Sequence, residues 1–122
     1  MNLVSVIKGL ADENRLRILN ILRESELCVG EIEHILKMTQ SNVSRHLTKL
    51  CSLEILENEK KGTWVFYKIN KDIVSIYPFM KELINEELVK LEICKSDSKR
   101  LLEYKQSGCS CGSLKECSKY ST

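Results

Sequence analysis

The chain is poor in the residues that interrupt regular structure, with one proline and five glycines in 122 residues. That scarcity argues against disorder and against an all-β architecture rich in turns. No apolar run approaches the roughly 18 residues of a membrane-spanning helix. The N-terminus places the acidic pair Asp12-Glu13 after Lys8, which is not the arrangement of a signal peptide. The expectation is a cytoplasmic protein with no membrane partner. Net charge is also small: 19 basic against 17 acidic residues give +2, so the total does not announce a nucleic-acid binder and distribution must decide. Histidine is limited to His34 and His46, and none lies between residues 72 and 105. There is no internal repeat, heptad run or low-complexity tract.

What is present is ordinary for a soluble, mainly helical domain, with 43% hydrophobic and 30% charged residues. The length suits one domain whose modest core gains from a partner subunit. Charge is not evenly spread. Between Lys37 and Asn70, the residues Lys37, Arg45, Lys49, Lys60, Lys61 and Lys68 outnumber Glu54, Glu57 and Glu59. Six cysteines stand at 28, 51, 94, 109, 111 and 117. Without a secretory signal they are expected as reduced thiols, available to metals or redox chemistry.

Apolar spacing predicts helices near 2–10 and 12–24, the second capped by Asp12. A third helix, 29–36, presents Val29, Ile32, Ile35 and Leu36 inward and Glu31, Glu33 and His34 on its polar side. Lys37-Met38-Thr39 forms a tight turn, and Thr39 caps a fourth helix whose inner face is Val43, Leu47 and Leu50. Two short helices joined by three residues have helix-turn-helix spacing. Residues 55–59 and 63–69 read as two strands around the loop Lys60-Lys61-Gly62, a basic hairpin or wing. A long amphipathic helix is expected from near Tyr77, because Pro78 is tolerated only in a first turn, with Ser107-Gly108 as its outer limit. The expected organisation is a DNA-binding and dimerisation domain over 1–92 and a C-terminal extension with a Cys-bearing, loosely held tail over 93–122.

A helix entering the major groove needs small polar and amide side chains on its exposed first turns and cations near phosphates. Gln40, Ser41, Asn42, Ser44, Arg45 and His46 supply these. Gln can read adenine, and Arg guanine or phosphate. Lys60 and Lys61 are placed to touch phosphates, adding affinity without sequence information.

Four motifs, in order, resemble the ArsR family of metal-responsive repressors: Ala11-Asp12-Glu13-Asn14-Arg15-Leu16-Arg17-Ile18-Leu19, Glu26-Leu27-Cys28-Val29-Gly30-Glu31-Ile32, Gln40-Ser41-Asn42-Val43-Ser44-Arg45-His46-Leu47 and Gly62-Thr63-Trp64-Val65-Phe66-Tyr67. The resemblance covers roughly residues 2–92. It implies a mainly α fold with a small β-hairpin: a winged helix-turn-helix homodimer joined through its first and last helices. It further implies a protein that binds double-stranded operator DNA and represses a resistance operon until an inducer binds. Lys37 stands where the family's turn usually has Gly, a position that often needs a left-handed backbone.

Arsenic-responsive members carry Cys-Val-Cys on the third helix; here the pattern is Cys28-Val29-Gly30, one thiol short. Members sensing zinc carry Asp and His pairs on the last helix, which this chain lacks. The preferred inducer site is therefore the tail, Cys109, Cys111 and Cys117, whose three thiols suit As(III) or Sb(III). Cys94 and Cys28 are possible additional ligands, the latter at a helix N-terminus that favours thiolate. Cys51, beside Leu47 and Leu50, is expected to pack. Two alternatives keep the same fold: a Cd(II) or Cu(I) sensor, and a redox sensor closing a disulfide among the tail cysteines. A thiol enzyme is disfavoured, since the chain has no Cys-x-x-Cys, no βαβ pattern and no Cys with an evident base.

Overall fold

The computed structural model describes residues 2–113. Helix α1 (Leu3–Leu10) is capped by Asn2, whose side chain accepts from the Ser5 N–H at 3.1 Å. Helix α2 (Glu13–Ile21) is capped in the same way by Asp12, which accepts from the Arg15 N–H at 3.1 Å. A two-residue strand β1 (Leu27–Cys28) follows, then α3 (Val29–Leu36) and α4 (Gln40–Ser52), the latter capped by Thr39. Strands β2 (Leu56–Lys61) and β3 (Trp64–Ile69) form an antiparallel hairpin in register Leu56↔Ile69 to Lys61↔Trp64. β1 pairs with the other edge of β3, Leu27 opposite Tyr67 and Cys28 opposite Phe66, giving the order β1-β3-β2.

Three local features carry the helix-turn-helix and the wing. Lys37 adopts φ 56°, ψ 47°, so the left-handed turn is made by a residue with a Cβ. Glu54 does the same, φ 61°, at the end of α4. The hairpin turn is Gly62–Thr63, with Gly62 at φ 64° and nothing near its missing Cβ. Lys60 and Lys61 thus belong to β2 rather than to the loop read from the sequence, because pairing runs up to Lys61↔Trp64.

The second half departs further from the sequence reading. Residues 71–76 form a short helix α5 (Lys71–Ile76), and Pro78 precedes α6 (Phe79–Glu82). The expected long helix is broken: α6 widens into a π turn (Leu83–Glu87), tightens into a 3-10 turn (Leu88–Lys90) and stops at Leu91, which is extended at ψ 129°. The Arg23 Nε–H donates to the Ile84 carbonyl at 3.0 Å within this irregular stretch. A separate helix α7 (Glu92–Gln106) then packs on α2 and α3.

One core runs through all of it, from Val6 of α1 through Ile18, Leu19, Ile32, Ile35, Leu47, Leu50 and Ile55 to Met80, Ile84 and Leu88, and it includes Tyr104 of α7. Burying such side chains contributes about 1.5–3 kcal/mol each, so α7 is held by the same driving force as the helix-turn-helix. Polar bonds fix its register. Asn20 Nδ2 donates to the Cys94 carbonyl at 3.1 Å and to Ser98 Oγ at 3.0 Å. Asp97 is fully buried and accepts from Arg17 Nε at 2.8 Å, from Arg17 Nη2 at 3.0 Å and from Arg100 Nη2.

Candidate functional site

Helix α3 is gripped at both ends by α7 and the turn beyond it. Its last carbonyls have no intrahelical donor. Arg17 Nη2 donates to the Leu36 carbonyl at 3.0 Å and Arg100 Nε to the Ile35 carbonyl at 2.7 Å, both arginines being tied to Asp97. Two cations at a helix C-terminus also match its negative end. Asp97 in turn holds the Arg17 guanidinium above its usual pKa, chiefly by the hydrogen bond. Toward the other end, Tyr104 stacks at a tilt on His34, ring centroids 5.4 Å apart, and its hydroxyl donates to Glu31 Oε2 at 2.6 Å. Beyond Gly108, at φ 77°, the chain turns so that Cys111 reaches Cys28. The order 97–100, 104, 111 against 36, 31, 28 means that α7 runs antiparallel to α3.

At the N-terminus of α3 the Cys28 and Cys111 sulfurs are in bonding contact, their Cα atoms 6.7 Å apart, within the span of a disulfide. Glu31 completes the cluster. Its Oε1 accepts from the Cys28 N–H at 3.0 Å and lies 3.1 Å from Cys111 Sγ. All three residues are buried, with their ligand-type atoms within 4.8 Å of one another. Burial first, then the Glu31 hydrogen bond and charge, pushes the Tyr104 phenol well above its usual pKa.

Of the tail cysteines read from the sequence as one cluster, Cys109 and Cys111 lie within the described residues. Cys111 is buried against Cys28, and Cys109 is half-buried against the core. α7 docks on α2 and α3, and the turn beyond it brings Cys111 to the start of α3. Cys117 lies outside the described residues. Cys28, which the sequence left as an extra ligand lacking its neighbour at 30, is central. Cys94 is fully buried beside the Asn20 contact and stands outside the Cys28–Glu31–Cys111 group; burial raises its thiol pKa. Cys51 packs against the core, its thiol also pushed up by burial. Glu31, expected on the polar side of α3, is buried instead. The available signal was its place three residues after Cys28, the position from which a glutamate reaches back to a helix's first N–H. Asp97, Arg100 and Tyr104 carried no such signal, since their roles exist only when α7 folds back.

On the opposite side of α3's turn lies α4. Gln40, Ser41 and Arg45 are exposed, and Asn42 and Ser44 are half-buried. Asn42 Oδ1 accepts from Arg45 Nη2 at 2.8 Å, which orients the guanidinium along the exposed face. His46 corrects the sequence reading: at 1% exposure it belongs to the inner face with Val43 and Leu47. Its Nδ1 is buried without a hydrogen-bond partner in the structure, and burial lowers its pKa. On the wing Lys60 and Lys61 are exposed; Lys61 pairs with Glu26 and lies 5.6 Å from the Phe66 ring centre.

A helix-turn-helix with an exposed polar second helix, backed by a three-stranded sheet with a basic hairpin, defines a winged helix-turn-helix DNA-binding protein. The particular family follows from comparison. The sequence model of the bacterial regulatory proteins of the arsR family matches residues 12–58, from the α2 cap into β2. The chain is 35% identical over 82 residues to the arsenical resistance operon repressor of Bacillus subtilis, covering 66% of this chain and 72% of that protein. The chain belongs to the ArsR family of transcriptional regulators. It is also 45% identical over 69 residues to the arsenic resistance transcriptional regulator ArsR1 of Pseudomonas putida, where the match covers 56% of this chain but only 54% of the relative. Among solved structures, the homodimeric winged helix-turn-helix DNA-binding domain Mb0332 from Mycobacterium bovis superposes with a TM-score of 0.59 at 28% identity, covering 73% of this chain and 83% of that one. Among the described residues no helix is long and apolar enough to cross a membrane.

Proposed function

We infer that this protein is a dimeric repressor of a metalloid-resistance operon, released from operator DNA when As(III) or Sb(III) is captured by Cys28, Cys111 and a third thiolate from the tail, Cys109 or Cys117. The observation that carries the reading is the meeting of a thiol on α3 with a thiol from the C-terminal extension, in a chain 45% and 35% identical over the matched stretches to two arsenic-resistance regulators. In this reading Cys28, a possible additional ligand in the sequence, joins the tail thiols so that the set bridges the two segments. A soft trivalent centre prefers thiolates, and arsenite loses one hydroxide as water for each thiol proton it takes up. Three S–H groups and As(OH)3 therefore give the tris-thiolate and three waters.

Operator recognition rests on α4 in the major groove. Gln40, Ser41, Asn42, Ser44 and Arg45 face the bases and sugar-phosphate edge, and Lys60 and Lys61 the phosphates. Dimerisation is supported by apolar side chains left in solvent on α1 (Leu3, Val4 and Ile7) and on the stretch around α6 (Ile76, Phe79, Val89 and Leu91), the last helix α7 being folded back on α2 and α3. Two recognition helices at half-site spacing are what a palindromic operator requires. Because α7 spans α3 from the cysteine pair to the carbonyls that precede the turn, an ion that repositions Cys111 changes the seat of α4. Effector and DNA then weaken each other reciprocally.

The test is fluorescence anisotropy of a labelled promoter fragment with fully reduced protein, titrated with arsenite, antimonite, Zn(II) and Cd(II). The expected result is release of wild type by arsenite or antimonite and no release of Cys28→Ser or Cys111→Ser. Equal release of wild type and both variants would sink the reading. A second reading, a redox repressor, is favoured specifically by the bonding contact of Cys28 with Cys111. Two thiols give up two electrons and two protons to peroxide, which becomes two waters. Release by peroxide in metal-free buffer, abolished in Cys28→Ser, with no response to arsenite, would select it.

A further inference from the structure

A cleft of about 630 Å3 opens between the end of α2, the base of the wing and the stretch that runs from α5 into the π turn. None of the side chains assigned above to operator DNA, to the cysteine cluster or to dimerisation lines it. Its size is that of a small-molecule site, which falls at about 300–1,000 Å3. Leu22, Ile69, Val74 and Ile84 give it an apolar wall, and Leu22 and Ile84 belong to the core. The backbone along this wall is unusual. Leu83–Glu87 form the π turn with no proline or glycine to impose it, and such turns, rare in general, occur often at functional sites. Within that turn the Ile84 carbonyl accepts from Arg23 Nε at 3.0 Å, while Arg23 Nη2 donates to Asn20 Oδ1 at 2.5 Å. The guanidinium is thereby fixed at two nitrogens, and its Nη1 has no acceptor among the described residues.

Charge around the rim is unequal. Lys68 faces Glu57 at 3.6 Å and Glu59 at 4.0 Å, and Glu26 is paired with Lys61. Arg23, Lys71 and Lys81 have no carboxylate within ion-pair distance among the described residues, and of the lining carboxylates only Glu24 is left to offset them. An apolar wall beside three such cations matches a molecule with an apolar body and an anionic end. The wall gains by excluding water, and the anion gains charge-assisted hydrogen bonds. Free phosphate would use the cations and leave the wall wet; a neutral hydrocarbon would cover the wall and leave Arg23 Nη1 without an acceptor. We propose that this cleft is a binding site for a small organic carboxylate, its charged end held by Arg23, Lys71 and Lys81 and its apolar body lying along Ile69, Val74 and Ile84. The occupant joins the base of β3 to α2 and the π turn. No cysteine lines the cleft, so the site is independent of the thiol effector reading.

The experiment is titration calorimetry of the full-length, reduced protein with hydrocinnamate and octanoate as probes, and with hydrocinnamamide and inorganic phosphate for comparison. The expected result is saturable binding of both carboxylates, with the amide and phosphate each weaker by about tenfold or more. Lys71 and Lys81 are exposed, so the double variant Lys71→Gln, Lys81→Gln keeps the fold. It should lose about tenfold in carboxylate affinity, the worth of two charge contacts at a solvent-exposed rim. Lys95→Gln, Lys99→Gln removes the same charge from exposed positions on α7, away from the cleft, and should leave that affinity unchanged. Absence of saturable binding of either carboxylate at millimolar concentration overturns the proposal, as does equal affinity for acid and amide, phosphate binding as tight as the carboxylates, or equal loss in the two lysine pairs. If Lys71→Gln, Lys81→Gln weakens operator binding with no organic anion present and leaves carboxylate binding intact, the two lysines are phosphate contacts and the proposal falls.

Discussion

Asp97 is the side chain on which the docking of α7 most depends, and its removal gives the sharpest test of that docking. Its carboxylate is fully buried and receives three N–H bonds from Arg17 and Arg100, whose side chains are 12% and 26% exposed. In Asp97→Ala both guanidiniums remain beside the helix end with no anion. Breaking a fully buried pair this way costs about 3–5 kcal/mol. The partial exposure of both arginines lets water take up some of the loss, so about 2–4 kcal/mol is expected. In urea, with a slope of about 1–3 kcal/mol/M for a small domain, the midpoint should fall by roughly 1–2 M with the slope unchanged. The double variant Arg17→Met, Asp97→Ala should recover part of that loss, because the uncompensated charge leaves with the arginine. Operator affinity should fall in the single variant as well, since the carbonyls of Ile35 and Leu36 then lose the oriented donors that seat the turn before α4. A destabilisation below about 1 kcal/mol, with no coupling between Arg17 and Asp97, would refute the claim that this network clamps the extension to α3.

Two further outcomes are expected. Lys37→Gly should raise the melting temperature, because relief of about 1–2 kcal/mol of left-handed strain outweighs the roughly 0.5–1 kcal/mol of added chain entropy; a fall in a thermal melt would contradict the φ of 56°. His46, whose pKa burial holds below its ordinary 6.5, stays neutral in the folded chain where the unfolded chain already binds a proton. Its contribution is therefore fully present above pH 6.5 and is lost as pH falls from there toward the lower folded value. Denaturant midpoints measured from pH 7.5 to 5 should decline less steeply in His46→Gln than in wild type, and equal slopes would remove His46 as the cause.

The sequence was sufficient for every element whose determinants are local. Asp12 and Thr39 announce helix starts because a short polar side chain satisfies the first free N–H groups wherever it stands. Val43, Leu47 and Leu50 fix the inner face of α4 by spacing alone, and Gly62 marks the wing's turn. Even the strained turn at Lys37 was legible, since the left-handed requirement belongs to the motif rather than to its surroundings. His46 was misassigned because a histidine on the border of an apolar stripe can turn either way, and only packing decides. The break at Leu91 carries no proline or glycine. It follows from the better burial available when α7 reverses onto α2 and α3, an energy spread over residues far apart in sequence. That same reversal brings Cys111 to Cys28 across 83 residues, buries Glu31 and assembles the Asp97 network. The sequence by itself determined a family, a helix-turn-helix and a supply of thiols. Which thiols meet, and which carboxylate meets them, was decided by tertiary structure, because proximity between distant segments is set by packing and not by spacing along the chain.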